Sequence, residues 1–416
     1  MTPGEKNPRI RVLLVEDSPT DVLLARAALR GGHGAEFEVS SADHLQAAIE
    51  IVKASPVDVI LLDLGLPDVQ GMETFVRAHA AMPDIPIVVL SGLGDEEVAL
   101  QAVHQGAQDY LLKGPTMRDQ LPRAIRYAVE RHHTQQKLEQ FARELQEKNA
   151  SLEQELSLAR EVQQALLPHH YPCFKSVPGE GSCALEFAHR YCPATSLSGD
   201  FFDILPLSLH QAGVLICDVM GHGVRAAFIG ALTRGLVQQS VALALDPGAF
   251  LTSLNHDLAE TLKHSEIEAF VTAFYFVADV AERRLRYANA GHPSPMILRR
   301  DTGTVDWLRV DRPYRPPLGL RSSTAYRTYE APLVEHDSIV LFTDGIYEQE
   351  NAAGEQFGQQ RLLEAVSRRL GQPCGTMLDG LVSETRQFSG HDDFTDDVCL
   401  VGMDVVTGQP SGTKAA

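Results

Sequence analysis

The sequence predicts an α/β chain in three parts: a doubly wound parallel sheet, a long coiled-coil helix, and a layered α/β/α domain. Three observations carry that order. Short runs that are apolar throughout alternate with helical patterns up to about residue 120. The stretch 121–167 holds almost no Gly or Pro. After Pro168 short strands dominate. At 416 residues the chain is too long for one ordinary domain. The expected boundaries are a flexible N-terminus over 1–8, a first domain over 9–120, a linker over 121–167, a second domain over 168–405, and a disordered tail over 406–416.

In the first domain the strands are Val12–Val15, Val57–Leu62, Ile87–Leu90 and Gln108–Leu112, with a helix from about Thr20 to Leu29. Runs apolar at every position are buried on both faces, as parallel strands are, and such sheets bind ligands beyond their carboxyl ends. In the linker, Leu138, Phe141, Leu145, Leu152, Leu156, Ala159, Val162 and Leu166 recur mostly at gaps of three, four or seven among charged residues. That spacing predicts an amphipathic helix pairing as a two-stranded coiled coil, and so a homodimer. Lys148 and Asn149 interrupt and weaken the seam, and Pro168 ends the helix. The second domain offers strands at 213–217, 270–276, 285–289, 337–342 and 398–403, with helices near 226–245, 247–262 and 360–370. That mixed order indicates α+β or layered α/β/α architecture.

Composition excludes several classes. An apolar content of 44% and a charged content of 22% are those of a soluble globular protein. No run of about 18 apolar residues appears, so no membrane span is expected. Residues 1–6 lack the apolar core of a secretory signal. The six cysteines form no Cys-x-x-Cys pair and are read as reduced, mostly buried thiols of a cytoplasmic protein. A net charge of −19 argues against nucleic-acid binding, which depends on cationic neutralisation of phosphate.

Two acidic constellations carry chemistry. Glu16 and Asp17 follow the first strand, Asp63 the second, Ser91 the third and Lys113 the last. A parallel sheet gathers all five at one edge. An acidic pair holds Mg²⁺, a third carboxylate attacks phosphorus, and a hydroxyl and an ammonium bind the phosphoryl oxygens of the product. Residues 9–125 resemble the response-regulator receiver family through Val15-Glu16-Asp17-Ser18, Leu62-Asp63-Leu64-Gly65-Leu66-Pro67-Asp68, Leu90-Ser91-Gly92 and Tyr110-Leu111-Leu112-Lys113. The resemblance implies that Asp63 takes phosphate from a sensor histidine kinase. It implies that the Gly65 carbonyl completes the metal ligands and that Tyr110 is the switch aromatic.

The second constellation is Asp218, Asp344 and Asp396, far apart in sequence but each beside a strand. Gly221 and Gly223 permit a tight turn and close approach of a phosphate. No nucleophile motif stands beside these carboxylates, so hydrolysis with two hard cations fits, Mg²⁺ or Mn²⁺ rather than Zn²⁺. The segment 159–403 resembles the SpoIIE/RsbU-type branch of PP2C-like Ser/Thr phosphatases. The matching pieces run from Ala159–Pro168 through Ser198-Gly199-Asp200-Phe201-Phe202-Asp203, Asp218–Gly223, Ala288–Pro293 and Thr343-Asp344-Gly345 to Asp396-Asp397. The resemblance implies that Asp218 bridges two metals, Val219 lends a carbonyl, Asp344 and Asp396 complete the pair, and Asp200 sits near the second metal. Cys399 stands where the family usually has Thr, and Asp392-Asp393-Phe394-Thr395 is an alternative last motif. His222 and His292 are expected to serve the loops rather than the chemistry. The implied substrate is a phosphoserine or phosphothreonine on a STAS-type anti-sigma factor antagonist. The alternative is a non-catalytic RssB-like adaptor that sequesters a sigma-pathway protein.

Overall fold

The computed structural model describes residues 8–30, 34–92, 96–114, 116–168, 170–175, 183–263, 269–311 and 316–406. The expected flexible N-terminus and C-terminal tail therefore lie almost wholly outside the described residues. The chain forms two compact units, Met1–Ala150 and Ser151–Ala416.

The first unit is built in the order β1 (Arg9–Val15), α1 (Pro19–Leu29), β2 (Glu36–Ala42), α2 (Leu45–Ala54), β3 (Val59–Asp63), α3 (Met72–Ala81), β4 (Ile87–Ser91), α4 (Glu96–His104), β5 (Asp109–Leu112) and α5 (Met117–Leu166). Its sheet runs β2-β1-β3-β4-β5, every pair parallel. β3 and β4 are buried at every residue because helices cover both faces. Ala48, Phe75 and Ala102 pack on one side; Ala25, Met117, Leu121 and Ile125 pack on the other. Chain order reverses between β1 and β3, which opens a crevice at their carboxyl ends. Ser18 caps α1 by accepting from the Asp21 amide, with Pro19 in the first turn. β2, not foreseen from the sequence, is an edge strand whose exposed residues hide its pattern.

α5 is one helix of 50 residues, about 75 Å long. Its opening turns bury Met117, Leu121, Ile125 and Ala128. Beyond them Leu138, Phe141, Leu145, Leu152 and Val162 stand exposed at 57–64%.

The second unit comprises β6 (Leu185–Cys192), β7 (Phe201–Pro206), β8 (Gln211–Val219), α6 (Val224–Gln239), α7 (Pro247–Lys263), β9 (Val271–Asp279), β10 (Arg284–Ala290), β11 (Met296–Arg299), β12 (Thr304–Trp307), β13 (Tyr329–Pro332), β14 (Asp337–Phe342), α8 (Gly345–Glu348), α9 (Gly358–Arg368), α10 (Cys374–Ser389) and β15 (Val398–Val405). The strands form two antiparallel sheets, β13-β10-β9-β8-β7 and β12-β11-β14-β15-β6. Alternation decides which side chain goes where. Ile204, Val214, Ile216, Phe274 and Phe276 meet Ile339, Leu341, Val401 and Met403 between the sheets. Leu215, Cys217, Tyr275 and Val277 turn outward onto α6 and α7. Val340, Phe342, Val398 and Leu400 turn outward onto α9 and α10. The middle layer expected from the sequence is therefore double. Each fully buried aromatic such as Phe274 or Phe276 contributes about 1.5–3 kcal/mol.

One expectation is corrected. Cys173 and Cys183 are joined as a disulfide, so not all six cysteines are reduced. The Ala184 amide donates to the Phe174 carbonyl at 2.6 Å, which draws the two chain segments together and leaves the cysteine Cα atoms 5.1 Å apart. Cys217, Cys374 and Cys399 are buried thiols and Cys192 is half-buried. Among the described residues, no helix is long and apolar enough to cross a membrane.

Candidate active sites

In the first unit the five predicted residues converge. Glu16 and Asp17 lie just beyond β1 and Asp63 closes β3; one ligand atom from each lies within 4.8 Å of the others. Glu16 and Asp63 are buried and Asp17 is exposed. Lys113 follows β5 and places its Nζ 2.7 Å from Glu16 Oε2, 2.9 Å from Asp63 Oδ1 and 3.4 Å from Asp21 Oδ2. Burial opposes the charge on Lys113, but its hydrogen bonds to Glu16 and Asp63 outweigh this and raise its pKa. Burial also raises the pKa of Glu16, against the pull of Lys113. Ser91, buried, ends β4 beside Asp63's strand. Gly65 pairs backbone to backbone with Gln70. Three carboxylates facing one ammonium leave excess negative charge at the crevice, and the oxygen-only donor set suits a hard divalent cation. Asp21, the further partner of Lys113, went unnoticed in the sequence because it reads simply as a first-turn acid of α1.

In the second unit the carboxylates come from both sheets. Asp218 and Val219 end β8, and Asp200 immediately precedes β7. Asp344 follows β14 at the position just before α8, and Asp396 leads into β15. Gly221 (φ 84°) and Gly223 (φ 81°) carry the turn after Asp218 through left-handed backbone, then α6 begins. His222, within that turn, is exposed.

The electrostatics are those of crowded negative charge. Burial, then Asp344 and Asp396, push the Asp218 carboxyl up to about 7. Burial, then Glu348 and Asp396, push Asp344 up to about 6. Asp200 is raised well above the usual carboxylate range by burial and then by Asp218. Its Oδ2 is buried without a hydrogen-bond partner. An orphaned buried carboxylate oxygen costs roughly 1–3 kcal/mol or more unless something pairs with it. This donor set fits hard cations: all oxygen, with one atom lacking a partner and the proton affinities of Asp218, Asp344 and Asp200 raised by burial and then by neighbouring carboxyls.

The supporting contacts were not visible in the sequence. Asp397, adjacent to Asp396, is buried and accepts from the amides of Ala194 (2.8 Å) and Gly199 (3.0 Å), so it anchors the loop that carries Asp200. Asp396, exposed, faces Asp218 and Asp344 electrostatically instead. Asp392 and Asp393 are exposed. Gln163, near the end of α5, grips Ser198 twice: its amide donates to the Ser198 carbonyl at 2.6 Å and its carbonyl accepts from the Ser198 amide at 3.1 Å. Ser198 Oγ in turn accepts from the Asp200 amide.

Comparison with known proteins agrees with this geometry. Residues 12–126 match the response regulator receiver domain, and residues 209–406 match Stage II sporulation protein E (SpoIIE). The chain joins a receiver domain to a SpoIIE-type, PP2C-like phosphatase domain. Over 157 residues it is 31% identical to the phosphoserine phosphatase RsbP of Bacillus subtilis, covering 38% of each chain. Over 246 residues it is 26% identical to the phosphoserine phosphatase RsbU of the same organism, covering 59% of this chain and 69% of RsbU. The chain thus spans well under two thirds of RsbP. In fold, the SiaA-PP2C domain of Pseudomonas aeruginosa aligns with a TM-score of 0.53 at 22% identity, covering 62% of this chain and 98% of that one. The SpoIIE match begins after Asp200, so Asp200 and the Gln163–Ser198 clamp lie outside the matched span.

Proposed function

We propose that this chain is a cytoplasmic two-component response regulator. A sensor histidine kinase phosphorylates it on Asp63, and its SpoIIE-type domain removes phosphate from phosphoserine or phosphothreonine on a partner protein. The observation that carries the reading is the second site: four carboxylates from two sheets, with the proton affinities of Asp218, Asp344 and Asp200 raised and Asp200 Oδ2 unpartnered. Asp218 would bridge two cations, Mn²⁺ or Mg²⁺, with the Val219 carbonyl, Asp344 and Asp396 as further ligands and Asp200 close by. Bound there, the cations would supply an activated water and neutralise the phosphate. Burial and the neighbouring carboxyls favour protons on Asp218, Asp344 and Asp200, so cations bound there would take the place of protons. Gly221 and Gly223 themselves add no side chains to the turn after Asp218, which favours close approach of a phosphoserine-bearing loop.

In the receiver, Glu16, Asp17, Asp63 and the Gly65 carbonyl would hold Mg²⁺, while Ser91 and Lys113 would hold the phosphoryl oxygens. RsbP and RsbU are named phosphoserine phosphatases, which supports a phosphoserine substrate; a STAS-type antagonist is the class we favour. The exposed stripe of Leu138, Phe141, Leu145 and Leu152 on α5 supports a homodimer paired along that helix. The Gln163–Ser198 clamp offers a route from the helix to the Asp200 loop. The test is Mn²⁺-dependent release of phosphate from a phosphoserine-bearing STAS protein by the full chain, with and without acetyl phosphate. Release that depends on Mn²⁺ and changes with acetyl phosphate supports the reading; no release under either condition refutes it. Leu145→Asp should shift the full chain from dimer to monomer in sedimentation.

A further inference from the structure

His292 occupies a place the proposed chemistry does not use. It follows β10, in the same sheet as Asp218, and is 4% exposed. Its position is built by the turn before it. The Asn289 side chain accepts from the His292 amide and donates to the His292 carbonyl, both at 2.9 Å. Gly291 takes left-handed backbone (φ 77°) between them. The ring then reaches across to the opposite sheet. Nε2 lies 3.1 Å from the carbonyl of Phe342, the last residue of β14 and two before Asp344. Nδ1 lies 2.8 Å from Thr272 Oγ1. Thr272 is the cross-strand partner of Asp218, and its Oγ1 stands 3.5 Å from Asp218 Oδ2.

These contacts assign the tautomer. A carbonyl only accepts, so Nε2 carries the proton and Nδ1 offers its lone pair. Thr272 has one hydroxyl proton, and the shorter contact, to His292, takes it. Thr272 then makes only the long 3.5 Å contact to Asp218 Oδ2 and leaves that oxygen available to another partner. Burial pushes the pKa of His292 down to about 3, which keeps the ring neutral in this role.

We infer that His292 is a positioning residue: a neutral strut between the two sheets that sets the spacing of Asp218 and Asp344 and leaves Asp218 free to bind a cation. The inference rests on the proposed cation site. The sheets contribute ligands from opposite sides, and Mg²⁺–oxygen distances tolerate little error. Polar partners that orient metal ligands are worth about 10- to 100-fold in metal affinity.

The experiment is Mn²⁺ titration of the full chain, followed by the electron paramagnetic resonance signal of free Mn²⁺. Asp218→Ala defines what the receiver alone binds. Thr272→Val keeps side-chain shape but removes the hydroxyl; it should weaken the Asp218-dependent binding about tenfold without loss of fold. His292→Ala should weaken it at least as much. His292→Gln, which restores an amide donor near the Nε2 position, should recover part of the loss. Unchanged Mn²⁺ affinity in both Thr272→Val and His292→Ala, even with a lowered melting temperature, would overturn the inference and leave the cation site standing. Equal Mn²⁺ binding by wild type and Asp218→Ala would overturn the cation site itself, and this inference with it.

Discussion

Replacing Gly345 by Ala tests how tightly the phosphatase site is spaced. Gly345 follows Asp344 directly, and its backbone does not require glycine's conformational freedom, since its φ is not positive. The obstacle is space. A Cβ built there falls 2.2 Å from the Asp397 carbonyl oxygen, 3.0 Å from the Asp397 carbonyl carbon and 3.1 Å from the Asp396 carbonyl oxygen. Close C–H···O contacts sit at about 3.3–3.6 Å, so the two segments must part by about 1 Å. All three atoms belong to backbone and none can swing aside. Asp344 and Asp396 lie on the two segments forced apart. Overpacking strain of this kind costs about 1–3 kcal/mol. If it falls on the cation site, Mn²⁺ affinity drops by roughly 5- to 150-fold. The assay is the Mn²⁺ concentration giving half-maximal hydrolysis of p-nitrophenyl phosphate, with circular dichroism to establish the fold. A folded Gly345→Ala protein with the wild-type Mn²⁺ requirement would refute the claim that Asp344 and Asp396 serve one site.

Other substitutions probe neighbouring parts of the account. Asp397→Ala removes the acceptor of the part-buried Ala194 amide and the buried Gly199 amide; the two orphaned donors should lower stability by roughly 2–6 kcal/mol at most, read by urea unfolding. The pH response has a definite sign. Asp218 and Asp344, raised to about 7 and about 6, hold protons in the folded state that the unfolded chain has released above about pH 4. Without cations, stability should therefore fall as pH rises from about 4 to about 7. Mn²⁺ replaces those protons, so its stabilising shift in melting temperature should grow over the same interval; a pH-independent shift would contradict this. In the receiver, Asp63→Asn should abolish acid-labile labelling by acetyl phosphate, because an amide is no nucleophile. Lys113→Ala should still bind Mg²⁺, detected by calorimetry, yet respond weakly to acetyl phosphate, having lost the cation that touches both Glu16 and Asp63.

How far the sequence reveals this molecule depends on how local each signal is. The receiver site is legible because each acid directly follows an apolar run, and parallel strands align their carboxyl ends without further information. β2 escaped because Glu36, Glu38, Ser40 and Ser41 break the apolar pattern along an edge. The double sheet of the phosphatase domain escaped for the opposite reason. Strands such as β9 and β15 are buried on both faces, so nothing in them says whether a helix or a second sheet lies beyond. The adjacent pair Asp396 and Asp397 could not be separated by motif alone. In extended chain their side chains diverge, and only the folded partners of Asp397 reveal the anchor. Gln163 with Ser198, and His292 with Thr272 and Phe342, join positions 20 to 50 residues apart. The Cys173–Cys183 pair likewise joins positions ten residues apart, beside the Ala184–Phe174 backbone hydrogen bond.

The most direct test of the central claim is phosphate release from a phosphoserine-bearing protein by the full chain, compared with Asp218→Ala. Turnover in the wild type should depend on Mn²⁺ and be lost reversibly with excess chelator, and Asp218→Ala should show none at any Mn²⁺ concentration, with folding and Asp63 labelling retained. Turnover in Asp218→Ala equal to that of the wild type, or wild-type turnover that survives chelation, would contradict it.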